Sequence, residues 1–131
     1  MTMHAISLRD PRPVSEESIQ RAVIQHLKLT AAPGVVYFHC PNGEARSKAT
    51  GARLKAMGVR RGVADICLVL PSGRSAFLEL KSAKGRPSDE QKAFAADVSK
   101  SGALYAVAAS IDQALQILIE WGALNARKEA A

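Results

Sequence analysis

Between Gly58 and Lys81 the chain sets charged residues into two apolar runs that otherwise read as buried strands, and this restricts the fold more than any other feature. Ile66 to Leu70 and Ala76 to Leu80 are separated by Pro71-Ser72-Gly73-Arg74, which is turn chemistry, so the two runs form a β-hairpin with a four-residue connection. Asp65, Glu79 and Lys81 then gather around one hairpin. Strand side chains alternate faces, so Glu79 and Lys81 point the same way, roughly 6 to 7 Å apart along the strand. Asp65, at the start of the partner strand, lies opposite its end. Two carboxylates converging at a sheet end offer the hard oxygen ligands that Mg2+ or Mn2+ prefers, and the carbonyl of Leu80 can add a third. A lysine beside them completes a hydrolytic site.

These residues resemble a known signature. Asp65 followed by Glu79-Leu80-Lys81 on the next strand is similar to the Pro-Asp…(Asp/Glu)-x-Lys pattern of restriction-endonuclease-like nucleases. More narrowly, Phe38-His39-Cys40-Pro41-Asn42-Gly43, Leu54-Lys55-Ala56-Met57-Gly58-Val59-Arg60 and Gly62-Val63-Ala64-Asp65 resemble the virus-type replication-repair (VRR-NUC) nucleases, and the resemblance runs from about Ser15 to Trp121. A Glu-x-Lys triplet alone is weak, because it arises by chance in roughly a third of chains this long and then reads as a solvated salt bridge. Its place after an apolar strand and a turn, with Asp65 on the preceding strand, is what gives it meaning. One departure stands out: Ala64 occupies the position where the family usually has proline. Proline ligates nothing and only fixes φ, so alanine can leave Asp65 in place.

Read in order, residues 1–14 have no periodicity and form an expected mobile tail. Ser15 is a good N-cap, and Ile19, Ala22, Val23, His26 and Leu27 recur at helical spacing up to about Thr30. Glu16 and Glu17 fill the first turn, where the helix dipole favours acidic residues. The resemblance implies more for one of them, since the family's opening glutamate reaches the metal site, and register selects Glu16. Val35 to Cys40 is a strand running into the turn Pro41-Asn42-Gly43. His39 reads first as a satisfied core residue. Asn42 is first a turn residue, and by resemblance it faces DNA or supports the site.

Between Arg46 and Arg61 stand Arg46, Lys48, Arg53, Lys55, Arg60 and Arg61, with no acidic residue among them, a third of the chain's 18 Lys and Arg. Such a run can be only a solvated face, yet it leads directly into the two-carboxylate hairpin and supplies the phosphate contacts a nuclease needs. Leu54 and Met57 are expected to seat this helix on the core. Lys84 adds a cation in the loop after Lys81. Ser88-Asp89-Glu90-Gln91 is a capping box that opens another helix, and by resemblance Gln91 also supports the site. Gly102 ends that helix, Leu104 to Ala109 is a further buried strand, and Ser110 caps a last helix that Gly122 stops. Residues 123–131 read as a fraying tail.

At 131 residues there is room for one domain, expected over residues 15–122, that buries about two-thirds of its unfolded surface. A net charge of +6 favours a polyanionic partner. With no signal peptide and no run of 18 apolar residues, the expected location is cytoplasmic, in a bacterium or a phage-infected cell, away from membranes. Cys40 and Cys67 fall in strands without zinc-ligand spacing and are expected to be buried, reduced thiols.

The succession of elements places a mixed sheet between helices, an α/β fold. It agrees with the αβββαβ core of the restriction-endonuclease-like family. The resemblance implies a metal-dependent DNA endonuclease in which Asp65 and Glu79, helped by Glu16 and the Leu80 carbonyl, hold Mg2+ or Mn2+. Beside two carboxylates Lys81 is expected to act electrostatically and by positioning rather than as a base. It implies also a homodimer acting on branched DNA, such as four-way (Holliday) junctions formed in DNA repair. The rival readings are a non-catalytic DNA-binding module on the same fold, for which Ala64 is the only support, and an RNA-processing nuclease.

Overall fold

The computed structural model describes residues 14–41 and 47–125. Helix α1 (Glu16–Thr30), strand β1 (Val36–His39), helix α2 (Lys48–Ala56), strands β2 (Ile66–Val69) and β3 (Ser75–Leu80), helix α3 (Asp89–Lys100), strand β4 (Leu104–Ala108) and helix α4 (Ile111–Glu120) follow one another. Each helix begins at a serine, Ser15, Ser47, Ser88 or Ser110, whose side chain accepts a backbone N–H from the first turn.

The strands form one sheet in the order β1-β2-β3-β4. The first three are antiparallel, and the expected hairpin pairs Ile66 with Leu78 and Val69 with Ser75. A parallel fourth strand needs a crossover, which α3 supplies, and it pairs Glu79 with Val107. The mixed sheet with flanking helices is the α/β arrangement expected.

Alternation along the strands sorts the side chains. Ile66, Leu68, Ala76, Leu78 and Leu80 pack with Ile19, Val23 and Leu27 of α1 and with Ala114 and Leu118 of α4. On the opposite face Phe94 of α3 meets Phe77 edge-on at 5.1 Å between centroids and Tyr105 at 6.3 Å. Glu79 lies on that second face, two residues beyond Phe77, so a carboxylate continues an aromatic layer.

Four expectations need correction. Met57 does not seat α2 on the core: it is the helix's C-cap and is 70% exposed, Leu54 is only half-buried, and α2 buries no residue. β4 is an edge strand in which only Ala108 is fully buried. Ala123 and Leu124 do not fray, since both are buried and backbone bonds from Ala32 N to Ala123 O and from Asn125 N to Thr30 O stitch them to the end of α1. His39 is exposed rather than a core residue. Residues 1–13 and 126–131, within the expected tails, lie outside the described residues.

Candidate active site

Glu79 is the one charged residue buried among the described residues, at 2% exposure. Its position inside the β3 ladder fixes the backbone, and Gln91 and Lys81 hold one of its oxygens. Oε2 accepts from Gln91 Nε2 at 2.8 Å and lies 3.5 Å from Lys81 Nζ. Oε1 is buried with no hydrogen-bond partner. Burial first, and then the charge of Asp65, push the Glu79 carboxyl up to about 7, with Lys81 opposing. The Lys81 charge therefore offsets burial only in part.

Asp65 stands just ahead of β2, past the last paired residue. Leu80 N therefore has no strand partner on that side, and the Asp65 side chain replaces one: Oδ2 accepts from Leu80 N at 2.8 Å. Burial raises the Asp65 carboxyl above its usual range; the Leu80 bond opposes this and the Glu16 charge adds to it. The Asp65 carbonyl accepts twice, from Cys40 N at 3.2 Å and from His39 Nδ1 at 2.7 Å. Ala64 is fully buried.

The remaining predicted residues separate into groups. Glu16 Oε2 accepts from Ser82 N at 3.2 Å, just past Lys81, whereas Glu17 pairs with Arg21 at 2.9 Å on the same helix. Gln91 forms the expected capping box, its Oε1 accepting from Ser88 N at 2.8 Å, and its Nε2 donates to Glu79. Lys48, Arg53 and Lys55 are exposed on α2, as are Arg61 and Lys84 in the loops beside the site. Arg60 is engaged within the chain, 2.7 Å from Asp97 and 5.3 Å above the Phe94 ring. Asn42 and Arg46 lie outside the described residues.

The loop that delivers Asp65 is held closely to α3. Gly62 has φ +87°, and a Cβ there would strike the Glu90 carbonyl, so only glycine suits both the backbone and the space. The approach of Gly62 to Glu90, the Arg60–Asp97 pair and the Ser82–Glu16 bond carry no local signal in the sequence, because each joins residues far apart along the chain. The His39 bond could have been sought, since an exposed histidine beside the first aspartate is a candidate partner. Cys67 is buried, with its thiol pushed up to about 12 by burial first, and Cys40 is half-buried; both are free thiols.

Among the described residues no three His, Cys, Asp or Glu side chains form a metal cage by themselves. The donor set nevertheless fits a hard cation. A buried unpartnered carboxylate oxygen stands beside a second carboxylate, both carry raised pKa values, and backbone carbonyl or water oxygens are the usual remaining ligands of Mg2+. Among the described residues no helix is long and apolar enough to cross a membrane.

No curated protein matches the chain. Solved structures similar in fold include a VRR_NUC domain protein at 20% identity and TM-score 0.70, covering 84% of this chain and 89% of that one, and a VRR_NUC domain at 23% identity and TM-score 0.54, covering 82% and 97%. The VRR-NUC domain family itself matches residues 14–112, most of the described fold and all of the carboxylate site. The chain belongs to the VRR-NUC family of nuclease domains.

Proposed function

We propose that this nuclease domain is a divalent-metal-dependent endonuclease that hydrolyses DNA phosphodiester bonds, and that branched DNA such as a four-way junction is its substrate. The single observation that carries the metal dependence is the buried, unpartnered Oε1 of Glu79 beside Asp65. Burying a carboxylate on the face of Phe77 is costly, and Gln91 and Lys81 satisfy only one of its two oxygens.

Asp65, Glu79, the Leu80 carbonyl and Glu16 would hold Mg2+ or Mn2+, which when bound acidifies water and neutralises charge on the phosphate. The chain's residues prepare that site. Leu80 N fixes one oxygen of Asp65, and Gln91 fixes one oxygen of Glu79, so each carboxylate offers its second oxygen in a set direction. Burial pushes the Glu79 carboxyl up to about 7, and a cation held there would favour its ionised form. Lys81 has three ammonium donors and its contact with Glu79 uses one. The others are suited to a phosphate oxygen or the attacking water, which is an electrostatic and positioning role. Hydrolysis then joins the water oxygen to phosphorus, breaks the bond to the leaving sugar oxygen, and transfers a proton to that oxygen.

Exposed Lys48, Arg53, Lys55, Arg61 and Lys84 supply phosphate contacts in this reading. The branched substrate and a homodimer go together, because a two-fold dimer presents two sites to opposed strands. The test is incubation with labelled four-way, flap, linear-duplex and single-stranded DNA, and RNA of matched shape, in Mg2+, Mn2+ or EDTA, alongside Lys81→Ala. Metal-dependent cutting of the junction that Lys81→Ala loses is the expected result. Binding without cutting in any metal would overturn the enzymatic reading, and sedimentation as a monomer at micromolar concentration would overturn the dimer.

A further inference from the structure

Of the two carboxylates of the hairpin, Asp65 is the one that the sheet holds less directly. It precedes β2, beyond the last ladder pair of His39 with Ile66, and the residue before it, Ala64, leaves φ free where a proline would fix it. Two tethers remain at its carbonyl. One is the Cys40 N–H at 3.2 Å, an extension of the ladder by one residue. The other is the His39 ring at 2.7 Å, the shorter of the two.

A carbonyl oxygen only accepts, so the short contact requires His39 to carry its proton on Nδ1 and donate it. The ring is exposed on an edge strand, which removes the usual reason for a histidine there, filling the core. What its bond fixes is the peptide plane that follows the Asp65 Cα. The carboxylate grows from that same Cα, and its Oδ2 is already tied to Leu80 N, so turning the peptide plane strains that bond and swings Oδ1.

We infer that His39 is a positioning residue for metal binding: its Nδ1–H holds the Asp65 main chain so that the Asp65 carboxylate faces Glu79 in a ligand-ready orientation. This rests on the metal-site reading above. It assigns His39 no contact with substrate and no proton-transfer step. Outer partners of metal ligands commonly contribute 10- to 100-fold in metal affinity, and the effect here belongs at the lower end because the Cys40 bond persists.

The experiment is Mn2+ affinity of the full chain without DNA, measured by electron paramagnetic resonance of free Mn2+, for the wild type, Asp65→Ala, His39→Ala, His39→Asn and His39→Gln. Asparagine places an N–H at the same reach as Nδ1, whereas glutamine places one where Nε2 lies. The expected result is about a tenfold loss of affinity in His39→Ala and His39→Gln, and recovery to within about threefold of wild type in His39→Asn. Thermal unfolding of each variant tests folding, and should His39→Ala not fold, the Asn and Gln variants decide the matter between them. Wild-type affinity in His39→Ala, or recovery in Gln but not in Asn, would overturn the positioning role while leaving the metal site intact. A wild type that binds Mn2+ no better than Asp65→Ala would overturn the metal site and this inference with it.

Discussion

The hairpin and helix α2 carry the chain's chemistry in opposite ways. On the hairpin, Asp65, Glu79 and Lys81 are buried or half-buried, each with a named partner inside the fold. On α2, Lys48, Arg53 and Lys55 are exposed on a helix with no buried residue. Charge is costly where it is desolvated and cheap where it is hydrated, so the two regions answer to different requirements. A reacting phosphate needs groups fixed to fractions of an ångström, which only the packed sheet supplies. A phosphate backbone arriving from solution needs positive potential, which a lightly attached helix supplies as well as a rigid one. Chemistry and attraction should therefore be separable by substitution.

The largest separation is expected in activity. Lys81→Ala and Glu79→Gln should each lower the cleavage rate by about a hundredfold or more under saturating substrate, while DNA affinity, measured in Ca2+ or EDTA, changes little. If either variant lost binding and cutting in parallel, the hairpin would be a contact surface and the division between the regions would fail.

Stability against pH comes next. The Glu79 side chain ionises near 4.5 in the unfolded chain and near 7 in the folded one. The folded chain therefore binds the extra proton between those values, so this contribution is fully present below about 4.5 and is lost as pH rises through about 7. Asp65, raised by burial, acts in the same direction. In EDTA the wild type should lose up to about 3 kcal/mol of stability across that window, read from denaturant unfolding at each pH. Glu79→Gln should flatten the slope and be the more stable protein at pH 8, although it is the variant expected to cleave more slowly. Substitutions on α2 keep Glu79 and Asp65 and should leave this slope unchanged.

Much of the hairpin was legible in the sequence, and the reason is local. The turn at Pro71 to Arg74, the alternation from Ala76 to Leu80 and the capping box at Ser88 each act over a few residues, so pattern alone finds them. Gln91 was readable as an N-terminal cap, which its Oε1 forms, while its Nε2 donates to Glu79. Helix α2 was harder. Its period suggested Leu54 and Met57 as anchors, but the helix ends at Met57, and Gly58 with φ +101° turns the chain away before the side chain can be covered. Likewise the burial of Ala123 and Leu124 depends on the end of α1, almost a hundred residues earlier, and no local pattern carries it. The His39 and Ser82 bonds depend in the same way on sheet closure.

The α2 cations themselves offer a smaller effect. Arg53→Ala and Lys55→Ala should each weaken binding to all DNA shapes alike and reduce the slope of log K against log salt by about one for each phosphate no longer neutralised. Cleavage rate at saturating DNA should stay within about twofold. An effect on one DNA shape only would mean that α2 reads structure and does more than supply potential.

Arg60 gives the smallest effect and tests where the boundary between the regions lies. Its sequence neighbours group it with the cations proposed to face DNA, yet its guanidinium is 2.7 Å from Asp97 and stacked 5.3 Å above Phe94, the ring that meets Phe77 on the hairpin. Both partners of the ion pair are partly exposed, at 45% and 63%, so the pair contributes at most about 1 kcal/mol, to which the ring contact adds a similar amount at best. Arg60→Ala should therefore lower the thermal midpoint by a few degrees and leave the salt slope of DNA binding unchanged, the reverse of Arg53→Ala. Asp97→Ala should reproduce the stability loss, and the double variant should be no worse than the sum of its parts. If Arg60→Ala instead reduces the salt slope with stability intact, Arg60 releases Asp97 when DNA binds. The loop from Gly58 to Gly62 would then belong to the attracting region, although it delivers Asp65 to the site.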